Sequence, residues 1–214
     1  DFDDLYLKYE ADKTIPKKTV AAQDLFGDLL KERAETGRIY IMNLDHIQDI
    51  HDDQGEIALC ILSAVNVGGL NDLGELENIC DLAVRALEQI IDYQDYPVKA
   101  AEVSTKRRRS LGIGYIGLAH YLAKHGAKYS DPKAWDLVDR LSEAFQYHLL
   151  RASCNIAMEK GKCEGFDRTK YADGLLPIDH YKKDVDKIVP HKQRMAWESL
   201  RKDIAKHGLR HSTL

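Results

Sequence analysis

Four cysteines, at positions 60, 80, 154 and 163, and the word Gly112-x-Gly114-x-x-Gly117 are the residues whose type and spacing could carry chemistry in this chain. A thiol can act as nucleophile, metal ligand or electron donor. The four show no C-x-x-C spacing and are too few for a disulfide scaffold, so free or catalytic thiols in a reducing cytoplasm are expected. Cys60 ends the apolar stretch Ile57-Ala58-Leu59-Cys60 and is followed by Ile61 and Leu62. A cysteine in such a run commonly packs as a small hydrophobe. It becomes a site residue if the run is a barrel strand, because alternate residues then point inward. Cys80 and Cys154 fall on apolar helix faces and Cys163 in a loop, which marks none of them as a nucleophile.

The glycine word matches the dinucleotide fingerprint, and Asp131 follows at about the distance of a ribose-binding acid. That fingerprint must follow a buried apolar strand, yet Lys106-Arg107-Arg108-Arg109-Ser110 precedes it here. Close packing of a strand against a helix is the competing use of these glycines. Nine histidines raise the question of a metal. His46 and His51 lack partners at helical spacing, and His120 and His125 stand about 140° apart on a helix. Surface histidines and no metal site are expected. The basic run at 106–109 is expected to be a solvated patch balanced by Asp92, Asp95 and Glu102.

The elements that must position these residues follow from apolar spacing. Asp1 to Asp12 reads as a short helix or a turn-rich entry. Thr14 and Pro16 open a helix carrying Val20, Leu25, Phe26, Leu29 and Leu30, closed by Gly37. Arg38 to Asn43 reads as a strand, and Ile57 to Leu62, apolar on both parities, as a strand buried on two faces. Asp72 and Glu75 resemble a capping box ahead of the stripe Leu76, Cys80, Ala83, Leu87 and Ile90. Tyr93 to Thr105 reads as a polar linker. Leu111 to Leu118 leads into a short helix ending at Gly126, and Asp131-Pro132 opens a long one reaching Gly161. A loop-rich stretch with room for one short helix follows from Gly165 to Lys187, then a helix from Pro190 to Gly208.

The chain has 214 residues, 44% of them hydrophobic and 31% charged, with a formal net charge of -4. This balance favours a folded core over disorder and gives no basic face for nucleic acid. The longest apolar run, Ile57 to Val67, falls short of the ~20 residues of a membrane span.

Several words, taken together, resemble one family. They are Asp1-Phe2-Asp3-Asp4-Leu5-Tyr6 to Asp12, Thr36-Gly37-Arg38-Ile39-Tyr40-Ile41 with Asp45-His46, Gly55-Glu56-Ile57-Ala58-Leu59-Cys60, Asp92-Tyr93-Gln94-Asp95-Tyr96-Pro97, Leu176-Pro177-Ile178-Asp179 and His207-Gly208-Leu209-Arg210. In unbroken order these resemble the large, catalytic subunit of class I ribonucleotide reductase. The resemblance implies a helix-rich α/β fold over 1–214, a partial section of that family's ten-stranded α/β barrel. It also implies an oxidoreductase that converts ribonucleoside diphosphates to deoxyribonucleotides, the precursors of DNA.

In that family a thiyl radical on a finger-loop cysteine abstracts a ribose hydrogen, and two further cysteines supply electrons and end as a disulfide. Cys60 matches the second of those two and Leu62 a position lining the substrate pocket. Arg38 and Tyr40 match a strand flanking the radical-transfer route. The family relies on a metal-radical cofactor in its small subunit and on ATP and deoxynucleotide effectors bound at regions missing here, so no cofactor is expected on this chain. The implied partners are the small subunit, a second large subunit, thioredoxin or glutaredoxin, and the diphosphate substrate, with no nucleic acid and no membrane.

One departure from the family matters for activity. Only Ile47 to Gln54 joins the Asp45-His46 word to Gly55, where the family carries an extra strand and an Asn-Leu-Cys-x-Glu word with the radical cysteine. The upstream disulfide partner, the N-terminal allosteric domain and the C-terminal part of the barrel are likewise expected to be missing, so the chain alone is expected to be inactive. The other readings are an NAD-binding oxidoreductase using Gly112, Gly114 and Gly117, and a non-catalytic piece of a split gene.

Overall fold

A computed structural model of the chain describes residues 2–36, 57, 59–180, 183–187 and 192–214. Two compact units divide it, Asp1–Asp49 and Ile50–Leu214. In the first, α1 (Phe2–Ala11) and α2 (Ala22–Thr36) are helices. Thr14 and Pro16 do not open α2. The Thr14 amide and hydroxyl both donate to the Asp12 carboxylate, at 2.8 and 2.7 Å, which holds a turn there. Lys17 donates to the Asp12 carbonyl at 2.7 Å and to that of Glu10, placing a cation over the carbonyl end of α1. The strand expected at Arg38 to Asn43 lies outside the described residues.

The second unit is built on two parallel strands, β1 (Ile61–Asn66) and β2 (Leu111–Ile116), with Leu62 opposite Gly112 and Ala64 opposite Gly114. The first begins four residues later than the apolar run predicts, and it is not buried on two faces. Ile61, Val65, Leu111, Ile113 and Tyr115 lie on the covered face and join the core. On the other face Leu62 is 74% and Ile116 58% exposed, and Ala64, Asn66 and Gly114 are also exposed. Parallel sheets normally have both faces covered. Among the described residues of this unit, one face of the sheet is left exposed.

The covering helices are α3 (Leu76–Tyr93) and α6 (Pro132–Lys160). Asp72 accepts from the Gly74 amide, but Glu75 reaches the amide and side chain of Asn71, so the capping box is not reciprocal. The buried stripe of α3 is Leu76, Cys80, Val84, Leu87 and Ile91. Ile90, expected inside, is 41% exposed, because the stripe steps by four from Leu87 to Ile91 where the sequence also allows three. The expected linker is instead α4 (Lys99–Arg108), a helix with no apolar stripe. Lys106 and Lys99 hold Glu102 across its turns at 2.7 and 3.0 Å.

After β2 comes α5 (Leu118–Lys124), and Asp131-Pro132 and Gly161 bound α6 as the sequence predicts. Short 3-10 turns at Phe166–Arg168, Pro177–His180 and Lys183–Lys187 follow, then α7 (Trp197–His207), which starts seven residues beyond Pro190. The end of α6, the segment from Cys163 to Leu176 and α7 enclose a second core of Leu150, Cys154, Cys163, Phe166, Leu176, Trp197, Leu200, Ile204 and Leu209. Glu143 ties the two regions together by accepting the amides of Arg194 and Met195 and the indole N–H of Trp197, at 2.7, 3.1 and 3.0 Å.

Gly117 links β2 to α5 with φ of +79°, a conformation open to glycine and strained for other residues. A Cβ there would also meet the Asn66 side chain and lie 3.0 Å from the Gly68 amide. Gly117→Ala is expected to destabilise the chain by at least about 1–2 kcal/mol, read as a lower urea midpoint at unchanged slope.

Candidate functional site

The bare face of the sheet is the candidate site, and Cys60 stands at its edge, one residue before β1. Its parity is that of Leu62, so both side chains belong to the open side. Sγ lies 3.1 Å from where a Cβ on Gly112 would be and 4.0 Å from the Ile61 carbonyl. All four cysteines are free, and Cys60 is the exposed one. Partial burial raises its thiol above the ordinary value. Burial pushes Cys80 up to about 12 and Cys154 and Cys163 up to about 11, in keeping with core roles for the first two. Cys163 lies in a loop, as expected, and its side chain is buried in the second core. A largely protonated thiol on an apolar ledge can give up a hydrogen and pair with another sulfur whose Cα comes within about 7 Å.

The glycine word builds no phosphate turn. Gly112 and Gly114 lie inside β2, and Gly117 caps α5, so the strand-to-helix turn that would hold a pyrophosphate does not begin at Gly112. Among the described residues no three His, Cys, Asp or Glu side chains converge to hold a metal ion. Arg38 and Tyr40 lie outside the described residues.

Behind the sheet the structure corrects two surface expectations. Arg108 and Arg109 are buried, not solvated. Arg109 takes a left-handed backbone conformation at the end of α4, φ +52°. That strain is offset by its ion pairs: Nε donates to Glu88 at 2.7 Å and the guanidinium forks onto Asp92 at 3.0 and 2.7 Å. Glu88, 1% exposed, also accepts from Arg210 at 2.8 Å and from His211 Nε2 at 3.1 Å.

His211 is fully buried, contrary to the surface reading, whereas His120 is exposed. Its Nδ1 accepts from the Ser153 hydroxyl at 2.8 Å, which leaves the proton on Nε2 facing Glu88. The resulting Ser153, His211 and Glu88 chain has the residue types of a hydrolase triad, but all three are sealed from any substrate. It is a structural anchor.

Comparison with known proteins decides the family. The profile described as "Ribonucleotide reductase, barrel domain" matches residues 1–53 and 47–214. The chain belongs to the ribonucleotide reductase barrel-domain family. Its helix-rich architecture around a small parallel sheet is that of a partial α/β barrel. The chain is 51% identical to the ribonucleoside-diphosphate reductase subunit alpha of Haemophilus influenzae, with all of this chain and 32% of that protein covered. It is 47% identical to the Escherichia coli subunit 1 alpha and 36% to that of bacteriophage T4, again over the whole chain and 32% of each relative.

The chain thus spans about a third of the length of the curated relatives it matches. The Haemophilus alignment runs over 242 positions against 214 residues here, so 28 positions of the relative face none in this chain. The two segments matched by the family profile overlap at 47–53. Among the described residues, no helix of this family member is long and apolar enough to cross a membrane.

Sequence reasoning missed the part played by Gly112. Its parity with Leu62 becomes visible only once the strand register is known. It also missed the Glu88 anchor, whose members are scattered from 88 to 211.

Proposed function

We propose that this chain is the section of a ribonucleoside-diphosphate reductase alpha-subunit barrel that carries one of two electron-donating thiols, Cys60, with Leu62 beside it facing the substrate. The observation carrying this reading is that the exposed thiol and Leu62 share the uncovered side of the parallel sheet while the other three thiols are sealed in cores. In the reaction two thiols lose two electrons and two protons and close as a disulfide. The ribose 2′-hydroxyl leaves as water and a C–H bond takes its place. Cys60 supplies half of those electrons, and the disulfide is reopened by exchange with a dithiol protein such as thioredoxin or glutaredoxin.

The small subunit and a second alpha subunit complete the assembly, with Arg38 and Tyr40 beside the radical route. We place the 28 extra positions of the relatives at residues 47–53, where the family carries its radical cysteine. Cys80, Cys154 and Cys163 cannot replace that thiol, because all three are buried. The isolated chain, mixed with a small subunit, CDP and a dithiol, is therefore expected to form no dCDP. The same sequence exchanged into the Haemophilus influenzae alpha subunit, with the relative's residues restored at 47–53, is expected to turn over. Product from the chain alone, or none from the restored exchange, would overturn the reading.

A further inference from the structure

We propose that Gly112 is a positioning residue: its missing side chain is the space in which the Cys60 thiol and the Leu62 side chain lie across the open face of the sheet. The proposal rests on the reading of Cys60 as the electron-donating thiol, but it stands on packing that can be tested separately.

Two explanations for a glycine at this position fail. Its φ is not in the positive range reached by Gly117, Gly126, Gly161, Gly174 and Gly208, so the backbone does not require glycine. Strand interiors also disfavour glycine, by roughly 0.5–1 kcal/mol relative to alanine. What remains is room. A Cβ built on Gly112 would stand 2.6 Å from Leu62 Cδ2 and 3.1 Å from Cys60 Sγ, with no other atom beyond its chain neighbours within 4 Å. Both crowded atoms are the ends of side chains. An added methyl therefore moves the thiol and the leucine, leaving the backbone in place.

Gly114 provides the contrast. It lies on the same strand and the same face, opposite Ala64, and a Cβ there meets nothing within 4 Å. Of two glycines one strand repeat apart, one is filled by the candidate site and the other is empty.

The test is alkylation of Cys60 by iodoacetamide in the full 214-residue chain between pH 7 and 10, followed peptide by peptide by mass spectrometry. Melting is recorded in parallel, and the three buried thiols serve as internal references. In Gly112→Ala the thiol is pushed off the ledge that partly buries it. Its alkylation is expected to be at least threefold faster at pH 8, with the pH profile displaced to lower pH and a melting temperature equal to or above that of the parent. Gly114→Ala is expected to react like the parent.

A Cys60 rate in Gly112→Ala equal to or below the parent's, an equal acceleration in Gly114→Ala, or loss of the cooperative melt in Gly112→Ala would each overturn the proposal. The readout needs no turnover. If the rate shifts as expected while turnover in the restored exchange survives loss of the thiol, the positioning stands and the electron-donor reading falls.

Discussion

Cys60→Ser, placed in the restored alpha-subunit exchange, is expected to lower dithiol-driven turnover by roughly 10³-fold or more. A serine hydroxyl at this place fills nearly the same volume and keeps the hydrogen-bonding reach, but it cannot surrender an electron and close a disulfide. No other sulfur of this chain can take over, since burial holds Cys80, Cys154 and Cys163 at about 11 to 12 and seals them in packed cores. The control is Cys154→Ala, which removes a core thiol and is expected to cost stability and leave turnover per folded molecule unchanged. Steady-state dCDP formation with thioredoxin as reductant checks both. Turnover in Cys60→Ser within tenfold of the parent would end the assignment.

The second large effect concerns the anchor behind the sheet. Glu88→Gln keeps the shape of the side chain and removes the charge that two guanidiniums and an imidazole converge on. Breaking a buried ion cluster by neutralising one member costs about 3–5 kcal/mol, and that loss is expected as a fall in the urea midpoint. The pH dependence follows from two groups. Burial opposes ionisation of Glu88, but hydrogen bonds from His211, Arg109 and Arg210 outweigh it and bring the carboxyl to about 2, against 4.5 in an open chain. Its contribution is therefore full above pH 4.5 and is lost as pH falls from there toward 2.

Burial holds His211 below its ordinary 6.5, against the pull of Glu88. The unfolded chain thus takes up that proton first, and stability begins to fall as pH drops through 6.5. In Glu88→Gln the acid limb between 4.5 and 2 is expected to flatten, which a series of urea titrations across this range measures.

How much of this could be read from the sequence depended on how local the cause was. The long helix α6 was legible because a proline inside its start and a glycine past its end are cues set by neighbouring residues. The start of β1 was not, because Leu59, Cys60 and Ile61 are all apolar and the strand's own members include Ser63 and Asn66, turned by their parity to different faces. Helix α4 was misread since it is held by charge pairs such as Glu102 with Lys106 and has no apolar stripe. Burial of Arg109 depends on a carboxylate 21 residues away, and that of His211 on one 123 residues away, separations that no periodicity reports. The site fared in a similar way. Cys60 and Leu62 were singled out by the family resemblance and share a parity, although Cys60 precedes β1, whereas the place of Gly112 beside them exists only after two strands 50 residues apart have paired in register.

The anchor on Glu88 also sets an order of events during synthesis. Glu88, Asp92 and Arg109 leave the ribosome early, and α3, α4 and β2 can begin to pack while the chain is still growing. Arg210 and His211 follow about a hundred residues later, with the amide of Ser212 donating to the Arg108 carbonyl and that of Leu111 to the Thr213 carbonyl. Until those residues emerge, a carboxylate destined for the interior lacks two of its three side-chain partners, Arg210 and His211. Consolidation of the helical layer under the sheet is therefore completed only after residue 211 has been made. A nascent chain stalled before that point presents an unsealed core to chaperones and proteases.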